Sequence, residues 1–85
     1  MRHIASIKNY KIYGYKNSNS FIIHNTDKKY EDGHTHITGK IEVCYYIIRL
    51  SIKKKLPRYN TYIIESMKRL SNDEDFISLL KQMRS

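Results

Sequence analysis

Cysteine and proline each occur once in this chain, glycine three times and tryptophan never. Each scarcity excludes something. A single cysteine, Cys44, cannot close an internal disulfide, so the chain reads as one built for a reducing cytoplasm. Three scattered glycines (Gly14, Gly33, Gly39) form no Gly-rich phosphate loop. No apolar run approaches the ~18–20 residues of a spanning helix, and no membrane partner is expected. The opening Met1-Arg2-His3-Ile4-Ala5-Ser6 lacks the apolar stretch of a signal peptide. Acidic residues are also few: eight Asp and Glu face sixteen Lys and Arg, a net charge of +8. A domain this basic attracts nucleic acid or an acidic protein surface. At 85 residues the chain is expected to form one domain spanning 1–85. A chain of this size buries only roughly 60–65% of its unfolded surface, so a deep substrate cavity competes with stability. A binding protein with no cofactor is expected ahead of an enzyme.

What is abundant is tyrosine, at eight residues against two phenylalanines. Tyrosine suits strands and half-buried faces with a wet edge. The segments Ile4 to Ile7, Tyr10 to Tyr15 and Phe21 to Ile23 read as strands, punctuated by Asn9 and by Lys16-Asn17-Ser18-Asn19-Ser20. A hairpin across Asn17–Asn19 follows, extending to a three-stranded meander, and residues 25–35 read as a polar loop. Ile41, Cys44, Tyr45, Ile48 and Ile52 fall at helical spacing, although Val43, Tyr46 and Ile47 are strand-prone. Length decides for a helix over 39–55, since about fifteen residues exceed a typical strand. Thr38 is its expected cap, Lys53-Lys54-Lys55 suits its C-terminal dipole, and Pro57 stops it.

Asn60 begins a second helix through Leu70, with Tyr62, Ile63 and Met67 inward. Ser71-Asn72-Asp73-Glu74 matches a capping box for a third helix to about Met83. Phe76, Leu79, Leu80 and Met83 supply its buried face. Asp73, Glu74 and Asp75 in its first turn, and Lys81 and Arg84 in its last, complement the dipole. The predicted fold class is α+β: an N-terminal β-hairpin or three-stranded meander packed against about three α-helices.

Several constellations carry chemistry. His34 and His36 flank Thr35, so on extended backbone both project to one side and can share a metal. Glu31, Asp32 and His24 are further donors, and a metal hydrolase would also need a base and a cavity. The plainer reading has one histidine packing beside the helix and the other facing water, with no metal bound. Arg49, Lys53, Lys54, Lys55 and Arg58, with Lys68 and Arg69, form a candidate partner-binding basic patch suited to phosphates or to an acidic protein. Against that stands a solvated helix end. Tyr10, Lys11, Tyr13, Tyr15 and Lys16 interleave rings with cations, as sheet surfaces that stack single-stranded bases do. Because strands alternate faces, most of those rings are expected to serve the core. Leu70–Ser71 resembles a helix-turn-helix joint, but its second helix would present Asp73, Glu74 and Asp75 to a polyanion. Cys44 reads as a small core residue.

The string Gly33-His34-Thr35-His36-Ile37, an apolar helix, Lys55-Leu56-Pro57 and Arg69-Leu70-Ser71-Asn72-Asp73 resembles small uncharacterised phage and prophage proteins of low-GC Gram-positive bacteria. The resemblance covers roughly residues 33–76. It implies a non-enzymatic accessory protein in the bacterial host cytoplasm that binds and modulates a host nucleoprotein or nucleic-acid enzyme. Counter-defence inhibitors such as anti-CRISPR proteins act in this way. The alternative is a regulator that binds DNA or RNA directly, and the remote one is a His-dependent metal hydrolase.

Overall fold

Side chains alternate between two environments along the N-terminal third of the chain. Tyr10 and Ile12 are buried while Lys11 is exposed, and Ile23 and Asn25 are buried while His24 between them is only half-buried. That period of two builds an antiparallel sheet with one covered face. The computed structural model describes residues 1–15 and 17–83. Its elements are β1 (Arg2–Ile7), β2 (Tyr10–Gly14), β3 (Ser20–Asn25), β4 (His34–Thr38), α1 (Ile41–Lys53), α2 (Thr61–Leu70) and α3 (Glu74–Gln82). The four strands form one sheet in the order β1-β2-β3-β4, all neighbours antiparallel, followed by the three helices. The class is α+β, as the sequence predicts. No described helix is long and apolar enough to cross a membrane.

The meander has four strands instead of three, because residues 34–38 pair with β3 and are not loop. Thr35 and Ile37 face the core and oppose Ile23 and Phe21, while His34, His36 and Thr38 face away. Five residues with three polar outward positions leave little apolar signal to read. The loop shrinks to 26–33 and closes through Asn25 N–H to Gly33 O at 2.9 Å.

Lys8 and Asn9 alone connect β1 to β2, and Lys8 takes φ +53°. A two-residue hairpin connection needs positive φ to match the strand twist. The β2–β3 connection contains the expected Asn17–Asn19 turn, with Asn17 at φ +58° and Ser18 N–H bonded to Tyr15 O at 3.2 Å. A Cβ at Gly14 would lie 2.6 Å from Ile4 Cδ1, the end of a partly exposed side chain that would have to turn aside.

The helices cover the inner face of β3 and β4: α1 contacts β3, α2 contacts β3 and β4, and α3 packs on α2. Ile12, Ile23, Ile37, Ile47, Ile48, Ile64, Met67, Leu70, Phe76 and Leu80 fill the space between. Thr38 lies beside Tyr62 at the start of α2, and α1 begins three residues beyond it. At the far end Lys54, just past α1, pairs with Asp73, just past α2, at 3.2 Å. The two helices therefore run in the same direction, and residues 54–60 return along them. Helix α1 ends on Lys54 in the left-handed conformation, φ +55°, ahead of Pro57.

Several expected details differ. Thr38 ends β4 and caps nothing; the N-cap of α1 is Lys40, which makes no side-chain cap bond. The inward stripe of α1 is Cys44, Ile47, Ile48 and Ser51, which leaves Tyr45 40% exposed. Asn60 does cap α2, accepting from Ile63 N–H at 3.3 Å. Tyr62 points out of the core, and Ile64 and Ser66 join Met67 inside. The cap of α3 is Asp73, whose carboxylate accepts from Asp75 and Phe76 N–H at 3.0 and 3.2 Å. Ser71 instead accepts from Asp73 N–H at 3.1 Å, so the N-cap lies two residues later than expected, and with Phe76 as the third helical residue no capping box forms. Leu79 lies on the exposed side of α3, and Arg84 falls outside the described residues.

One buried amide ties these parts together. Asn25 is fully buried at the end of β3. Its Nδ2 donates to Leu70 O at the C-terminus of α2, 2.8 Å. Its Oδ1 accepts from Asn9 Nδ2 at 2.8 Å and from Asp27 N–H at 3.0 Å. The Lys28 ammonium completes the joint, donating to Ser71 O at 3.0 Å and Arg69 O at 3.3 Å, where the dipole favours a cation.

Asn25→Ala removes three hydrogen bonds and leaves the Leu70 carbonyl buried without a partner. It is expected to cost about 2–4 kcal/mol, measurable by urea denaturation; a loss under about 1 kcal/mol would show that the amide is not the joint. A second outcome concerns Asp73. The Phe76 N–H, and then the Lys54 ammonium, hold its carboxyl below the usual value. Because folding favours the ionised form, the stabilisation is full above the unfolded pKa of about 4 and is lost as pH falls below it. Asp73→Ala is expected to lower the melting temperature at neutral pH, with the gap from the parent protein narrowing toward about pH 3.

Candidate functional site

Because the helices sit over β3 and β4, the inner side of β1 is only partly covered. Ile4 is 37% exposed, and Ala5 and Ile7 are half-buried. Between β1 and α1 lies a groove of about 320 Å³, lined by Ile7, Tyr45, Ile48, Arg49, Ile52 and Lys53. The helix supplies two parallel rows: Tyr45, Arg49 and Lys53 at steps of four, and Ile48 and Ile52 beside them. The floor is therefore aliphatic and the rim aromatic and cationic. Among the described residues no carboxylate lines it, so its chemistry suits an apolar side chain flanked by acidic groups.

The seven sequence-predicted cations divide by environment. Arg49 and Lys53 share the groove, and the Arg49 guanidinium sits 5.8 Å from the Tyr46 ring centroid. Lys54 is engaged with Asp73 and lies 5.8 Å from the Phe76 ring centroid. Lys68 pairs with Glu65 at 2.7 Å. Lys55 and Arg58 are exposed on the connection after α1, and Arg69 is exposed on α2. The structure thus brings two of the seven into one concavity and commits two others to carboxylates.

The tyrosine–lysine set is split by the pleat. Tyr10 is buried on the inner face, where burial raises the pKa of its phenol. Lys11 and Tyr13 face outward, Tyr15 is exposed beyond the end of β2, and Lys16 lies outside the described residues.

All four histidines share the outer face. His3 pairs with Tyr13, their ring centroids 5.7 Å apart. His24 lies opposite His34, and Ile22 lies opposite His36. Tyr30 from the β3–β4 loop stacks on His34 at 4.1 Å and 5°, and meets His24 edge-on at 5.4 Å. His34 Nδ1 donates to Tyr30 O, and His24 Nε2 donates to Lys28 O at 3.1 Å. His34 and His36 do project together, their ring centroids 5.3 Å apart. Neighbouring side chains leave Ile22 only 2% exposed on this otherwise open face.

Sequence reasoning sees the His34–His36 pair but not its company. His24 joins it through the β3–β4 register and Tyr30 through the connecting loop, while His3 lies three strands away beside Tyr13. Among the described residues no three His, Cys, Asp or Glu side chains are placed to hold one metal ion, and Glu31 and Asp32 are exposed in the loop. Cys44 is fully buried, and burial pushes its thiol up to about 11, so it stays protonated at neutral pH and is no nucleophile. A polar hollow of about 330 Å³ lies between the β1–β2 turn and the end of α1, reaching Asp27, Ser51 and Lys54. The buried Ser51 Oγ has no hydrogen-bond partner among the described residues.

The arrangement predicts only weak metal binding, because two converging imidazoles make an incomplete coordination shell. Zinc titration followed by calorimetry is expected to give a dissociation constant no tighter than about 1 μM, with an unchanged melting curve. Sub-micromolar binding abolished by His34→Ala and His36→Ala would restore the metal-enzyme reading.

Compared with family models, with curated proteins and with solved structures, the chain matches none.

Proposed function

We propose that this chain is a small, basic, non-enzymatic accessory protein of the phage type. It binds an acidic surface on a host nucleoprotein or nucleic-acid enzyme and modulates it, as counter-defence inhibitors of the anti-CRISPR kind do. The observation that carries this reading is the groove beside β1, with its floor of Ile7, Ile48 and Ile52 and its rim of Arg49 and Lys53. An aliphatic concavity with desolvated anchors and charged borders is how protein interfaces are built. A phosphate backbone needs cations spaced along a track. Here two of the seven candidate cations are already paired with carboxylates.

A second reading, direct binding of single-stranded DNA or RNA, is favoured by a different observation. The outer face of the sheet carries Tyr13, Tyr30, His36 and Lys11, rings and a cation on one surface. Such rings hold bases by stacking, worth ~1–3 kcal/mol each.

Salt dependence separates the two. On the preferred reading, free DNA and RNA bind weakly at physiological salt and without dependence on length. Arg49→Glu with Lys53→Glu then slows association with the protein target, because rim charges act mainly on encounter. Tight, length-dependent binding to bare nucleic acid would favour the second reading. In that case the log–log salt slope would reach roughly −0.7 to −0.9 per neutralised phosphate, and Tyr13→Ala and Tyr30→Ala would weaken binding.

A further inference from the structure

The two edges of the sheet are not alike. At β4, the Tyr62 hydroxyl donates to His36 O at 3.2 Å and accepts from Thr38 N–H at 3.0 Å. It occupies the edge as a neighbouring strand would, and α2 packs against the same strand. At β1 the sheet ends, with no further strand beside it among the described residues. The outer backbone groups of a terminal strand are a template for another strand, and proteins guard them with proline, inward-pointing charge, bulges or short strands. Strand β1 is six residues long and bulged at its start, but from Ala5 to Ile7 it carries neither proline nor charge. The bulge between His3 and Ala5 guards the start of the strand and leaves Ala5–Ile7 in regular register, ending at Ile7, which lines the groove.

We infer that β1 is a strand-addition site, an inference that rests on the protein-docking reading above. An extended segment of the partner, apolar at alternate positions and acidic between and beside them, pairs with Ala5–Ile7. Its inward side chains extend the row made by Ile7 and enter the groove against Ile48 and Ile52. Carboxylates at the groove mouth meet Arg49 and Lys53. Ladder hydrogen bonds supply affinity, and the alternate side chains supply selectivity. A second copy of the chain is the wrong occupant. Antiparallel self-pairing centred on Ala5 would set Arg2 against Lys8 twice, between two bodies each carrying +8.

The test uses a blocked synthetic peptide of alternating valine and glutamate and two N-methylated versions, one methylated at every valine and one at every glutamate. In a strand, alternate N–H groups face the same edge, so only one methylated set can break the ladder. One version is expected to bind about tenfold or more weaker than the parent peptide, and the other within about threefold. Amide exchange at Ser6 should slow when the parent peptide binds, because Ala5 and Ile7 already bond across to Ile12 and Tyr10 and only the Ser6 N–H faces the open edge. Equal binding by all three peptides, still abolished by Arg49→Glu with Lys53→Glu in a protein of unchanged melting temperature, would overturn strand addition and leave the groove reading intact. Binding indifferent to both methylation and charge reversal would overturn both. No binding at all would also refute strand addition. Dimerisation by sedimentation, with the β1 amides protected and no peptide present, would give the edge to a second copy and refute an acidic occupant.

Discussion

The Asn25 side chain sets the position of nearly everything else. A buried amide with unsatisfied groups is expensive, so the structure must bring partners to it. It does so from three directions: the β1–β2 turn through Asn9, the β3–β4 loop through Asp27, and the end of α2 through Leu70. Burial of apolar surface is non-directional and would allow α2 to slide along the sheet. The amide fixes where it stops, and Lys28 holds the last carbonyls from the solvent side.

From that constraint follows the uneven cover of the sheet. With α2 pinned at the end of β3, α1 lies alongside it over β3, and β1 is left with part of its apolar row in water. A thin core cannot cover both sides of a four-stranded sheet, as expected for so short a chain. The uncovered surface is sorted by chemistry: aliphatic with a cationic rim beside β1, rings and histidines on the outer face, and a blocked edge at β4. The strand left open is the one beside the groove.

The sequence carried the helices well and the last strand poorly, for physical reasons. Phe76, Leu80 and Met67 stand out because an apolar stripe at helical period persists over several turns. Strand β4 has only Thr35 and Ile37 facing inward, too few for a period-two pattern to rise above a polar loop. The cap of α3 is hard to place because two polar residues compete for one end: Ser71 and Asp73 both bond backbone N–H groups, and only geometry decides which begins the helix. For the site, Arg49 and Lys53 were legible as a basic run at a helix end. Their partnership with Ile7, and the gathering of His3, His24, His34 and His36 on one face, depend on register and on where α1 lies. No local pattern encodes those.

The central claim is that the chain acts by docking on protein through the groove beside β1. Affinity capture from a low-GC Gram-positive lysate tests it most directly, comparing the parent protein with Arg49→Glu plus Lys53→Glu, each with and without nuclease. The account predicts a partner that the parent retains after nuclease and that the charge-reversed protein, folded as the parent is, fails to hold. A partner released by nuclease from the parent, yet held equally by the variant without it, would contradict the account and move the function to the nucleic acid.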